Sequence, residues 1–354
     1  MAGAVGEGGG VSVLKVLTFD EALAQSERLT SRHVLLGNGF SIACRPDIFV
    51  YGKLFERADF KKLSAAARKA FDALGTEDFE KVIKALRDAA KLVPLYKDVD
   101  PTLAKRLQTD ADGLKEVLVQ TIADSHPARP SDISDEEYAA CRAFLVPFKN
   151  IYTLNYDLLL YWTKMHTLPN EQQDSDDGFR KPEYEADAPY VSWEAGNSRQ
   201  QNLWFLHGAL HLFDSGTELQ KFTWSNTGIA LIDQIRDALN RGLFPLFVAE
   251  GSSSEKLERI RHSDYLAKGY RSFESIGGAL FVLGHSFAAN DEHYLKRIER
   301  GKTRELYVGL HGDPGSPSNR HVISRASRMP DVRRTNRPLD VFYFDSGSAK
   351  VWGR

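Results

Sequence analysis

The chain has 354 residues, enough for one large domain or two, and its 42% hydrophobic and 27% charged content is that of a globular protein with a sizeable core. A formal net charge of −2 excludes a field that would draw nucleic acid over the whole surface, and no apolar run reaches the roughly 20 residues of a membrane span. With two cysteines, Cys44 and Cys141, there is neither a disulfide framework nor a Cys-rich zinc site, and the expected compartment is the reducing cytoplasm.

In chain order, residues 1–12 are Gly-rich without the basic and apolar regions of a secretory signal, and read as a disordered lead-in. A short element over 13–17 and a helix over 19–29 precede an apolar strand over 33–36, which ends at Gly37-Asn38-Gly39, with a helix opening over 40–43. From about 53 to 146 the texture is helical. Helix-spaced apolar residues fill 63–74, 79–92, 103–122 and 136–145, and no strand candidate interrupts them, so this stretch is predicted to be a helical insertion.

Strand–helix alternation then resumes. Strands are expected over 148–154, 203–206, 245–249, 279–284, 305–309 and 340–344, and helices over 158–165, 229–239, 255–275, 292–300 and 319–327. Residues 167–202 read as a long polar loop containing Asp174, Asp176 and Asp177, and 212–224 as a hairpin or irregular excursion. The pattern predicts an α/β fold over 13–354: a Rossmann-like parallel sheet covered on both faces, carrying the helical insertion. Arg325, Arg328, Arg333, Arg334 and Arg337 make a basic segment, read first as a solvated helix end and second as a patch for a nucleic acid or acidic partner.

Four stretches fall at predicted strand ends, where open α/β sheets bind ligands. Gly37-Asn38-Gly39-Phe40-Ser41 is either an ordinary tight turn or a helix entry whose N–H groups face a pyrophosphate. Thr153-Leu154-Asn155-Tyr156-Asp157 delivers an amide that can hold a ribose hydroxyl or a water, and a carboxylate that either accepts from a carboxamide or caps the next helix. His207-Gly208 offers a candidate general base, with His211 as a second candidate. Gly284-His285-Ser286 brings a hydroxyl for phosphate or ribose, and Asp291 is the next acidic group, a ligand contact or a helix cap. Neither a nucleophile elbow, a Walker loop nor a His-Glu-x-x-His pair is present. Asp291-Glu292-His293 has no second ligand at useful spacing, so no metal is assigned from the sequence.

Taken in order, these stretches resemble the sirtuin fold, and most closely the bacterial sirtuin-like NADases of anti-phage defence, over about residues 33 to 312. Leu154 stands where sirtuin deacylases have Gln, Asn38 where Ala is usual, and the zinc-binding Cys-x-x-Cys ribbon is missing. Asp291 lies further from Ser286 than in many relatives. The resemblance implies NAD+ as substrate and cleavage of its nicotinamide–ribose bond to nicotinamide and ADP-ribose or a cyclic product. It makes Asn155 and His207 the catalytic pair, and Gly37, Asn38, Gly39, Phe40, Ser41, Asp157, Gly284, Ser286 and Asp291 the NAD-binding set. It further implies a cytoplasmic abortive-infection effector, a homo-oligomer held off until triggered by a protein partner such as a HerA-type translocase, another defence protein or a short Argonaute. No membrane association and no direct nucleic-acid binding are expected. The alternatives are a nucleotide sensor without turnover, and an NAD-dependent deacylase.

Overall fold

The computed structural model describes residues 14–354 apart from 97, 167–174, 184, 186, 198, 224–226, 242, 249–250 and 334–336. The expected lead-in lies outside the described residues, as do Val13, Asp174, Trp224, Ala249 and Arg334.

Seven strands form one wholly parallel sheet: β1 (Val16–Leu17), β2 (Arg32–Leu36), β3 (Asn150–Thr153), β6 (Leu203–Phe205), β10 (Gly277–Leu283), β11 (Lys302–Leu310) and β12 (Asp340–Asp345). Their order is β1-β12-β11-β10-β2-β3-β6. The inner strands are buried on both faces, as continuous runs such as Val34–Leu36 and Ala279–Leu283 require. Counted from β2, the order β6-β3-β2-β10-β11-β12 is the 3-2-1-4-5-6 arrangement of doubly wound dinucleotide folds, with β1 added at the β12 edge. The winding reverses between β2 and β10.

Between β2 and β3, the described residues of 51–145 form helices and the turns that join them, and hold no strand. The helix Phe79–Leu92 buries Phe79, Val82, Ile83 and Leu86, a stripe at i, i+3, i+4 and i+7. Asp78 caps it, accepting from the N–H groups of Glu80 and Lys81. Phe55, Phe60, Phe71 and Phe79 pack ring against ring and tie the insertion together.

Three expectations need correction. The strand expected over 245–249 is β9 (Pro245–Phe247), which pairs antiparallel outside the main sheet. The loop expected over 167–202 contains β4 (Phe179–Arg180) and β5 (Tyr190–Trp193). With β7 (Gly208–Asp214) and β8 (Leu219–Phe222) these make a second sheet, β4-β5-β8-β7-β9, antiparallel throughout. Such short strands leave little periodicity to read. β7 and β8 are the hairpin expected near 212–224. The single helix expected over 255–275 is two, Ser253–His262 and Asp264–Ser275, because Ser263 leaves the helix and caps the second by accepting from Leu266 N–H. No helix among the described residues is long and apolar enough to cross a membrane.

The basic segment is partly engaged within the fold. Arg325 pairs with Glu292 and Glu299, and the Arg333 guanidinium donates to the carbonyls of Ile298 and Gly301 at a helix C-terminus.

Candidate active site

The four stretches leave the C-terminal ends of four neighbouring strands, β10, β2, β3 and β6. At the switch point, the turns after β2 and β10 lie backbone against backbone. Gly37 and Gly39 donate to the carbonyls of Leu283 and Gly284, each at 2.9 Å. A Cβ at Gly39 would stand 2.5 Å from Gly284 Cα, and one at Gly284 (φ +69°) 2.6 Å from Gly39 Cα. Glycine is therefore a steric requirement at both positions. The Phe40 and Ser41 amides donate to Gly37 and Asn38 carbonyls, so these amides, like those of Gly37 and Gly39, are already engaged within the fold. The Asn38 side chain donates to Phe49 O at 3.1 Å, and Phe40 packs on Trp352.

After β3, Asn155 Nδ2 donates to Gly37 O at 3.0 Å and to Ser41 Oγ at 2.9 Å. Ser41 in turn donates to Asp157 Oδ2 at 2.5 Å. Asp157 Oδ1 accepts from Leu159 N–H at 2.9 Å and so anchors the start of the helix Leu159–Met165. Burial raises the Asp157 carboxyl, against the Ser41 bond that lowers it. The sequence did not single out His126, which holds the same turn: its Nε2 accepts from Leu158 N–H at 3.1 Å and its Nδ1 lies 3.0 Å from Pro127 O. Those partners fix the neutral Nδ1–H tautomer.

β6 ends at His207. Gly208 (φ +80°) lets the chain turn where a Cβ would meet Leu246 O at 1.9 Å. His207 is 2% exposed, lies among the rings of Tyr156, His293 and Tyr294, and has no hydrogen-bond partner at Nε2 among the described residues. That nitrogen is 3.7 Å from Asp291 Oδ1. Burial holds the imidazole well below its usual pKa, with Asp291 opposing, so it is neutral near pH 7. His211 lies on β7, packed on Tyr161 and Phe205, both of its nitrogens without a partner among the described residues.

Asp291 does not cap the helix Glu292–Arg300 with its side chain. Its Oδ2 faces His285 Nε2 at 3.1 Å, while His285 Nδ1 accepts from Phe287 N–H, so the Nε2–H donates to the carboxylate. Asp291 Oδ1 accepts from Lys256 Nζ at 3.2 Å, and Lys256 also donates to Glu80 Oε2 at 3.1 Å. Lys256 is 1% exposed. Burial works against its ammonium, but Glu80 and Asp291 outweigh that and raise its pKa. Burial likewise works against the Asp291 carboxylate, which Lys256 and His285 hold well below the usual range. For Glu80, burial prevails and pushes the carboxyl up to about 7. Ser286 is exposed, and Phe287 is held at φ 55°, a conformation uncommon for an aromatic residue, with its ring buried.

Asn155, Ser41 and Asp157 are thus bonded to one another, Gly37, Gly39 and Gly284 touch, and His207 stands by Asp291. Lys256 and Glu80 complete the site from places that carry no local motif, and His293 from the Asp291-Glu292-His293 run. Two open grooves lie elsewhere: one at the opposite end of the sheet, between Leu29–Arg32 and 146–149, the other beside Asp176, Arg180 and Lys221.

Comparison with curated proteins gave no match. The sequence profile of the domain of unknown function DUF4917 matches residues 34–352, a span that runs from β2 past β12 and takes in all four stretches, and the chain belongs to that family.

Proposed function

We propose that the chain hydrolyses NAD+ at the nicotinamide–ribose bond, as an effector of anti-phage defence in the cytoplasm. The observation that supports this reading best is the placing of the four stretches on four adjacent strand ends, around the point where dinucleotides sit in doubly wound sheets. The sirtuin-like order of those stretches narrows the ligand to NAD+.

In this reading His207 accepts a proton from a ribose hydroxyl or a water. Its burial keeps it neutral and able to do so. Asn155 has its Nδ2 on Gly37 and Ser41, and its Oδ1 makes no bond among the described residues, which leaves the oxygen for the ribose or the attacking water. Asp157 orients Ser41 and the helix behind it. Asp291 and His285 set the field on the far side of His207. The transition state carries oxocarbenium character, as in other glycosidic cleavage, and the nearby Asp291 carboxylate favours such positive charge. Gly37–Ser41, Gly284 and Ser286 would face the phosphates and ribose. Regulation is by self-association or a protein partner, which holds the activity off until infection.

The test is nicotinamide release from NAD+ by the full chain, alone and with candidate partners. Asn155→Ala and His207→Ala should each lower turnover by at least about a hundredfold. Full activity in either variant would remove that residue from the site. Retention of NAD+ without release under every condition would favour a nucleotide sensor.

A further inference from the structure

His293 has no part in the reading above, yet it is built into the same cluster. Its Nδ1 is held by Ser253 Oγ at 3.0 Å, and its Nε2 is buried with no partner among the described residues. His207 Nε2 is in the same condition. The two side chains are 4% and 2% exposed. A buried polar nitrogen left unpaired costs about 1–3 kcal/mol, so two of them beside one carboxylate call for a ligand that satisfies both.

The ligand atoms of His207, Asp291 and His293 all lie within 4.8 Å of one another, and His207 Nε2 is 3.7 Å from Asp291 Oδ1. Donors placed roughly 2.0–2.1 Å from a tetrahedral zinc ion stand about 3.3 Å apart, so small side-chain movements would close the set. The outer partners are those that orient metal ligands: Ser253 behind His293, and His285 behind the Asp291 carboxylate. Two imidazoles and one carboxylate favour a borderline transition cation over calcium or magnesium, which prefer oxygen.

We propose that His207, Asp291 and His293 form a binding site for a divalent cation of the zinc class. Lys256 bears on its strength. The ammonium, 3.2 Å from Asp291 Oδ1, repels a cation, while Glu80 at 3.1 Å from Lys256 offsets it. With neutral imidazoles, the Asp291 carboxylate and an ionised Glu80 against one ammonium leave a formal charge of −1 to meet the metal, and protonation of Glu80 removes it. A bound cation occupies the His207 Nε2 lone pair, which the proposed NAD+ chemistry needs, so metal and turnover exclude one another. The site itself stands on geometry alone and does not depend on the NAD+ reading.

The experiment uses the full chain, treated with a chelator and dialysed against zinc chloride, with metal per chain read by atomic emission. One zinc per chain is expected for the parent. His207→Gln and His293→Gln, each checked for folding by circular dichroism, should weaken binding by about tenfold or more. Cobalt substitution of the parent should give visible d–d bands of a low-coordinate nitrogen–oxygen site, a readout that survives a variant's failure to fold. No stoichiometric metal in the parent, no such bands, or unchanged binding in both folded variants would each overturn the assignment, the last pointing to surface histidines. Nicotinamide release from the metal-free parent, alone and with candidate partners, is measured separately. Its absence would retire the NAD+ reading and leave the metal result standing, and the converse holds equally.

Discussion

The two halves of the candidate site share one edge of the sheet and are held by opposite means. Around β10, β2 and β3 the contacts are steric or uncharged at one partner: glycine on glycine, an amide on a hydroxyl, a hydroxyl on a carboxylate that also anchors its own helix. Around His207 they are ionic, joining Glu80 of the helical insertion to Lys256 and Lys256 to Asp291. The first half is specified by residues that each lie within a few positions of a strand end. The second exists only once the insertion has docked, which makes the insertion part of the site's electrostatics. A partner that displaced the helix Phe79–Leu92 would alter the field at Asp291, whereas the Asn155–Ser41–Asp157 set would be left in place.

The largest expected effect on stability comes from breaking the ionic half. Lys256→Met should destabilise the chain by about 3–5 kcal/mol, because Glu80 and Asp291 would lose the buried cation between them. Chemical denaturation would measure it. If the loss were under about 1 kcal/mol, the cluster would not be the link between insertion and sheet that the geometry describes. Next comes the steric half. Gly284→Ala places a methyl 2.6 Å from Gly39 Cα at a φ of +69°, and about 3 kcal/mol of destabilisation is expected. The same substitution at Gly75, also at positive φ but with nothing within 4 Å, is the control that separates backbone strain from collision.

This division also accounts for what the sequence could disclose. The bounds of the helices Phe79–Leu92 and Glu292–Arg300 and the strand end at Leu36, and to within one residue the strand ends at Phe205 and Leu283, follow from apolar runs bounded by glycine, capping residues or a polar turn. Gly37, Asn155 and His207 were visible because each follows such a run. The second sheet was not, since β4 and β5 are two and four residues long within a polar stretch. Nor was the helix break at Ser263, where one hydroxyl outweighs a continuous helical pattern. Lys256 and Glu80 look like ordinary helix residues in sequence, and His293 was noted beside Asp291 but set aside for want of a second ligand at useful spacing, because His207 joins it only through the fold. Asp291 was read as a ligand contact or a cap, and it makes no side-chain cap because Lys256 and His285 claim its oxygens.

Acid should strain the first half through His126. Burial pushes this imidazole down to about 4, and its Nε2 must stay unprotonated to accept from Leu158 N–H. The unfolded chain therefore binds the extra proton between the unfolded pKa near 6.5 and the folded value near 4. Stability from this group is present above about pH 6.5 and is lost as pH falls towards 4, by about 2 kcal/mol at pH 5. Glu80 acts in the opposite sense, since its raised folded pKa favours the folded state on acidification between 4.5 and 7. The contribution of His126 is isolated by comparison: the drop in stability from pH 7 to 5 should be about 2 kcal/mol smaller in His126→Gln than in the parent. Equal drops would show that His126 does not govern the turn.

The smallest effect tests the hydrogen bonds on their own. Ser41→Ala keeps the backbone and the glycine contacts, and removes the hydroxyl that accepts from Asn155 and donates to Asp157. Asn155 retains its bond to Gly37 O, and Asp157 retains Leu159 N–H, so each buried group loses one partner of two. About 1–2 kcal/mol is expected, below the cost of a fully orphaned pair. A double-mutant cycle with Asp157→Asn should show coupling between the two positions, because they share that bond. Additive losses would mean that Ser41 acts through packing alone, and the first half would then rest on glycine contacts rather than on a bonded triad.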